Sequence, residues 1–105
     1  MPVYVLAERL AVHDPDGLQR YLHEVSLTVA AHGGRYWVVS SEVEVLEGEW
    51  QPAALAMFEF PTREAALAWW NSPDYAPLRE MREASASYNI VLAPGVADEA
   101  PVRRP

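Results

Sequence analysis

The amino-acid sequence predicts an α+β sandwich of βαββαβ order, in which one four-stranded antiparallel sheet carries its helices on a single face. Three observations support this. The stretch from Ala53 to Tyr75, AALAMFEFPTREAALAWWNSPDY, contains a complete strand, turn and helix. Its apolar run Leu55 to Phe60 breaks at Pro61, passes through Thr62 into the helical pattern Glu64, Ala65, Leu67, Ala68, Trp69, and stops at Asn71, Ser72 and Pro73. A second strand-then-helix pattern precedes it, and strands one and three are apolar on both of their sides, as strands covered on both faces are.

Taken in order, Val3 to Val12 reads VYVLAERLAV, an apolar run interrupted at Glu8 and Arg9 and closed by the turn signal His13, Asp14, Pro15. Asp14 is an N-cap with proline in the first turn behind it, and Asp16 places negative charge where the helix dipole favours it. Leu18, Tyr21, Leu22, Val25 and Val29 recur at helical spacing until Gly33 and Gly34, so the first helix runs from about Asp16 to His32. Arg35 to Leu46, RYWVVSSEVEVL, starts aromatic and β-branched and finishes in alternation at Glu42, Val43, Glu44 and Val45. It predicts a long second strand whose far end has one wet face. Glu47, Gly48 and Glu49 form a turn, and Trp50 to Pro52 a short loop. Beyond the third strand and second helix, Tyr75 to Ala86 is a further helical segment with Leu78, Met81 and Arg82 on one face. Tyr88 to Ala93, YNIVLA, is a fourth strand closed by Pro94 and Gly95. One domain spans residues 1–95, and Val96 to Pro105 is expected to be a mobile C-terminal tail. The element order is the split βαβ arrangement of a ferredoxin-like sandwich.

At 105 residues there is room for one modest core, and half the residues are apolar with 22% charged, a globular balance. The longest apolar stretches fall far short of the roughly 20 residues a membrane helix needs, and no segment resembles a signal peptide. A soluble cytoplasmic protein with no membrane partner is the expectation. The net charge is −7, from 15 acidic residues against 8 basic ones, all of them arginine. That balance opposes attachment to nucleic-acid phosphates or anionic lipid. Without cysteine there are no disulfides, thiolate nucleophiles or cysteine-ligated metals, and without lysine there is no Schiff-base chemistry. The three histidines lie ten and nine residues apart and match no metal-ligand motif, while Glu42, Glu44, Glu47 and Glu49 read as a solvated hairpin. Gly33 and Gly34 stand between helix and strand, the wrong order for a phosphate loop, and no GxSxG elbow occurs. Neither a metal nor another cofactor is expected.

The strand faces point to a partner. Val3, Val5 and Ala7 are opposed by Tyr4, Leu6 and Leu10, and Ala54, Ala56, Phe58 and Phe60 by Leu55 and Met57. Two helices cover only one face, so the other requires a second layer, most simply the same sheet of another subunit. A homodimer with sheets face to face, closing into a barrel around an internal cavity, follows.

These residues, in this order and spacing, resemble the DUF1330 family of the dimeric α/β-barrel superfamily. The resemblance runs from Asp14, Pro15 and Tyr21 through Gly33, Gly34, Arg35, Tyr36, Leu46, Glu47, Gly48 and Pro52 to Glu59, Phe60, Pro61 and Ala65, then Trp70, Asn71, Ser72, Pro73, Tyr75, Arg79 and Arg82. It implies the ferredoxin-like fold and dimerisation. It assigns no activity, and related barrels include cofactor-free monooxygenases, isomerases, polyketide cyclases and haem-degrading enzymes. The family often carries a glycine pair late in strand two, where this chain has Ser40 and Ser41.

Several residues are candidates for chemistry. Glu59 follows Leu55 and Met57 on the dimer side of strand three, where a partly desolvated carboxylate can act as general base; a structural ion pair with Arg35 or Arg79 is the alternative. Arg35 can bind a substrate carboxylate or enolate, or hold Glu59 in place. His32 can titrate near neutrality, although its place at a helix end is equally explained by the helix dipole, and His13 is weighed in the same way. Arg79 and Arg82, one turn apart, form an anion clamp or pair with Glu80 and Glu83. Trp37, Trp70, Tyr75 and Tyr88, with Trp50 and Trp69, either line a pocket for a planar ligand or pack core and interface. The expected function is small-molecule binding by a homodimer. If it catalyses, proton transfer without cofactor on an aromatic or polyketide-like substrate is expected, with Glu59 or His32 as base and Arg35 as charge stabiliser; the rival is a non-catalytic binding or structural dimer.

Overall fold

The structure is a computed structural model and describes residues 1–96. Strand β1 (Val3–Val12) is followed by α1 (Pro15–Ala31), β2 (Arg35–Ser40), β3 (Ala54–Phe60), α2 (Arg63–Trp70), α3 (Ala76–Ser85) and β4 (Ala86–Pro94). The strands form one sheet in the order β2-β3-β1-β4, every neighbouring pair antiparallel. This is the expected ferredoxin-like architecture. The tail beyond Val96 lies outside the described residues.

Local signals in the sequence set the boundaries. Asp14 caps α1 by accepting from the Gly17 amide at 3.2 Å, and Thr62 caps α2 by accepting from Ala65 at 3.1 Å. At the other end of α1, the amides of Gly33 and Gly34 return to the carbonyls of Ala30 and Val29 at 3.0 and 2.9 Å. Gly33 has a φ of 81°, and a Cβ on Gly34 would stand 2.6 Å from Val29 and 2.8 Å from Phe60. The glycine pair therefore both turns the chain and lets β2 start against the core.

Two elements depart from expectation. Strand β2 ends at Ser40 rather than Leu46, because among the described residues it is an edge strand whose neighbour, β3, begins at Ala54 and pairs Leu55 with Ser40. Beyond that register the alternating Glu42 to Val45 segment has no ladder to join, so its β propensity goes unused. Strand β4 starts at Ala86, earlier than Tyr88, because β1 reaches Val12 and supplies partners for Ala86 and Ser87 past a bulge at Leu10.

The helices cover one face. Val3, Val5, Phe58 and Phe60 pack there against Leu18, Tyr21, Val25, Val29, Trp69, Tyr75 and Leu78. Trp69 anchors this core: its ring lies 4.2 Å from Tyr75 and 5.3 Å edge-on to Phe58, and its Nε1 donates to Thr28 Oγ1 at 3.0 Å. On the opposite face, strand register lays three rows across the sheet: Arg35, Glu59, Tyr4 and Ala93; Val38, Met57, Leu6 and Val91; Ser40, Leu55, Glu8 and Asn89. No helix among the described residues covers these rows. Val91 is 59% exposed, against 5% or less for Val3, Val5, Phe58 and Phe60.

Candidate functional site

The predicted site residues occupy three separate places. Glu59, Arg35 and Trp37 meet on the open face, where Trp37 Nε1 donates to Glu59 Oε1 at 2.7 Å and the Arg35 guanidinium lies over the Trp37 ring at 4.2 Å. Trp37 reaches Glu59 because it is the bulged residue of β2, between the Tyr36–Phe58 and Val38–Met57 pairs. A second carboxylate on this face is held in the same manner: Trp50 Nε1 donates to Glu8 at 2.8 Å and Asn89 Nδ2 at 3.3 Å. Neither ion-pair partner expected for Glu59 is engaged with it. Arg35 stacks on Trp37, and Arg79 pairs with Glu83 at 3.7 Å.

His32 stands in the helix layer. It is the C-cap of α1 and its Nε2 lies 3.5 Å from Asp74 in the α2–α3 loop. Hydrogen bonds from Ser72 and from its own backbone, with the nearby His32, hold the Asp74 carboxyl below its usual value. His13 bonds Ser87 Oγ at 2.7 Å. Arg79, beyond its bond to Glu83, stacks on Trp70 at 4.2 Å at the surface between α2 and α3. Among the described residues no three His, Asp or Glu side chains come together in a way that could hold a metal ion. Nor is any helix among them long and apolar enough to cross a membrane.

Arg82, expected beside Arg79, turns inward instead. It is 6% exposed, its Nε donates to Tyr75 Oη at 3.4 Å, and its guanidinium carbon stands 5.6 Å from the Tyr88 ring and 5.9 Å from Trp70. Tyr75 Oη in turn lies 3.0 Å from Tyr21 Oη. Burial, reinforced by neighbouring phenols, pushes Tyr21 and Tyr36 well above the usual tyrosine range. Tyr88 is pushed up as well by burial, opposed by the adjacent Arg9 and Arg82. Among the described residues no carboxylate lies within ion-pair distance of either Arg9 or Arg82.

Next to this cluster is a cavity of about 260 Å³. Its floor is Ala7, Ala54 and Ala56, three small side chains on the helix-facing side of β1 and β3, and Leu22 of α1 stands over them. Arg9, Tyr88, Val39, Ser40 and Ser41 form its rim. The space exists because the core's large residues end at Val5 and Phe58, and alanine follows at the next helix-facing position on each strand. Arg9 and Tyr88 are cross-strand partners in β1 and β4, so guanidinium and phenol enter the cavity together. Of the residues singled out in the sequence, Tyr88 reaches this cavity. In the sequence Arg9, Leu22, Ala7, Ala54 and Ala56 read as strand and helix positions rather than as site residues, although small residues at successive helix-facing positions are the available signal.

The fold and this cavity define a ferredoxin-like α+β protein with room for a small molecule between sheet and helices. The chain belongs to the DUF1330 family, a domain of unknown function, whose model matches residues 2–96. No curated protein matches it in sequence. Among solved structures it is similar to the RPA0582 protein of unknown function from Rhodopseudomonas palustris, with a TM-score of 0.74, 15% identity, and coverage of 91% of this chain and 83% of that one. It is similar to SnoaB, a cofactor-independent oxygenase from Streptomyces nogalater, at a TM-score of 0.65 and 12% identity over 96% of this chain and 100% of that one. A dimeric ferredoxin-like protein of unknown function from Thermobifida fusca gives 0.64 and 12% over 90% and 91%. At these identities the likeness establishes the fold.

Proposed function

We propose that the protein is a homodimer, joined through the open sheet faces, that binds a small aromatic or polyketide-like molecule between sheet and helices of each subunit. The observation that carries the binding reading is the alanine-floored cavity with Arg9 and Tyr88 at its rim. Its volume of about 260 Å³ sits just under the roughly 300–1,000 Å³ of typical small-molecule pockets, which suits one or two fused rings. Self-association is supported by the uncovered row Val38, Met57, Leu6 and Val91 and by the dimeric Thermobifida fusca neighbour. Cofactor-independent proton transfer, the class to which isomerisation, cyclisation and oxygenation of an activated substrate belong, is supported by the similar fold of SnoaB, a cofactor-independent oxygenase. The described cavity lining supplies a guanidinium and a phenol and no carboxylate or imidazole base. Titrating the ¹⁵N-labelled protein with 2-naphthol should shift the amides of Ala7, Ala54, Ala56 and Tyr88. Shifts confined to the open face, or absent, overturn the cavity reading.

A second reading is favoured by the cross-strand row Arg35, Glu59 and Tyr4. It places the polar centre on the open face, enclosed when two sheets meet, with Glu59 as base and Arg35 taking up negative charge. The hydrogen bonds of Trp37 to Glu59 and Trp50 to Glu8 fit a purely structural role for the same residues, and substitution of Glu59 separates the two.

A further inference from the structure

We infer that the cavity selects an anion, an aromatic carboxylate or an enolate, and that Arg9, Tyr88 and the buried Arg82 form its receiving group. The inference rests on the cavity reading above and adds the charge of the ligand to it.

Among the described residues no aspartate or glutamate lines the cavity, and its rim carries the Arg9 guanidinium beside the Tyr88 phenol. Behind the Tyr88 ring stands a second guanidinium, Arg82, 94% removed from solvent by its 6% exposure, whose described hydrogen bond is the one from Nε to Tyr75. Arg82 is not itself part of the cavity lining and acts on it across the Tyr88 ring, 5.6 Å from the guanidinium carbon. A guanidinium held this deep with no counter-charge among the described residues loses much of its hydration, a cost that an entering anion would offset. The Tyr88 phenol beside it supplies no negative charge while protonated, and burial favours its protonated form.

The rest of the molecule makes the inference sharper. With a net charge of −7, the long-range field repels anions. Preference for an anion over a neutral molecule of equal shape therefore has to come from local cations. The carboxylates nearest in register, Glu8 and Glu59, lie on the other face of the sheet and are each bonded to an indole. The described charge at the cavity rim is the Arg9 cation, whereas the open face carries both signs, with Arg35 beside Glu59.

Isothermal titration with 2-naphthoate and with its neutral isostere 2-naphthamide tests this. The carboxylate is expected to bind about tenfold or more tighter, the worth of a hydrogen bond to a charged group. Arg9→Met, at the accessible rim, should bring the carboxylate down to the amide's affinity while leaving the amide unchanged. Arg82→Met should reduce the same preference, and it is expected to keep the fold, since an apolar chain of similar length replaces an uncompensated charge. Equal affinity of the two probes, or a preference untouched by Arg9→Met, overturns the inference and leaves the cavity reading standing. Failure of both probes to bind overturns both.

Discussion

Around the cavity on the helix side of the sheet the polar groups are guanidiniums and phenols; on the open side two carboxylates are each held by an indole, with Arg35 beside one of them. On β1 the two meet one residue apart, Arg9 on the helix side and Glu8 on the open side, because successive side chains of a strand point to opposite faces. Val3, Val5, Phe58 and Phe60 fill the helix side at one end, and Ala7, Ala54 and Ala56 leave it empty at the other. Leu6 and Met57 keep the open side apolar in the middle, with Glu59 above them and Glu8 below. An empty, positively lined space suits a ligand, whereas a flat apolar row bordered by fixed polar groups suits a second sheet. The contrast separates binding from assembly within one layer of backbone.

The largest effects are expected where the helix side is full. Trp69→Ala removes the ring that joins Phe58, Tyr75 and Thr28, and should cost about 3–5 kcal/mol in denaturant unfolding. A cost near 1 kcal/mol would mean that the core lies elsewhere. On the open side Leu6→Asp places a charge in the middle of the apolar row without touching the helix-side core. Sedimentation should show the dimer weakened by roughly two orders of magnitude or more, about 3 kcal/mol, with far-UV circular dichroism unchanged. An intact dimer would rule out sheet-to-sheet pairing.

The phenols predict an alkaline limit. Tyr21 and Tyr36 hold their protons above the unfolded value near 10, so the folded state binds more protons than the unfolded one once pH passes that value. Their contribution is fully present below pH 10 and is lost above it. The expected slope is about 1.4 kcal/mol of stability per pH unit for each tyrosine kept neutral. Absorbance at 295 nm should show these phenols ionising together with unfolding; their free titration in the folded protein near pH 10 would contradict the burial.

Element order, the Asp14 cap, the glycine pair and the two-sided strands were legible in the sequence because each is a local signal with a fixed spacing. The end of β2 was not, since it depends on where β3 begins, a distance along the sheet that the alternation of Glu42 to Val45 does not encode. Arg82 was misleading for a related reason: its i, i+3 spacing from Arg79 implies a shared face, but α3 turns Arg82 onto Tyr75 and Tyr88 and leaves Arg79 to Glu83 and Trp70. Glu59 was placed on the correct face by alternation alone. Its partner Trp37 depends on a bulge, which shifts a side chain by one position and leaves no mark in composition.

A smaller effect tests the empty half of the helix side. Ala56→Leu puts a branched side chain into the cavity floor under Leu22, and should raise stability by about 1 kcal/mol, as cavity-filling changes commonly do, while abolishing 2-naphthol shifts. Destabilisation with binding retained would mean that the space is not open in solution.

The smallest stability change is expected from Glu59→Gln, and it decides between the two uses of the open face. Glutamine keeps an oxygen for the Trp37 Nε1 donor at nearly the same place, so the hydrogen bond survives and only the charge beside Arg35 disappears. Glu59 is partly exposed, which keeps the worth of that charge within about 1 kcal/mol by the measure of surface ion pairs. If Glu59 orders the dimer, thermal stability and sedimentation should barely move. If it is a base, the same variant should lose turnover of any substrate found for the wild type, since a neutral amide cannot accept the proton. Retained turnover with an unchanged dimer would confine Glu59 to holding Trp37, and would leave the cavity on the other side of the sheet as the place where chemistry has to be sought.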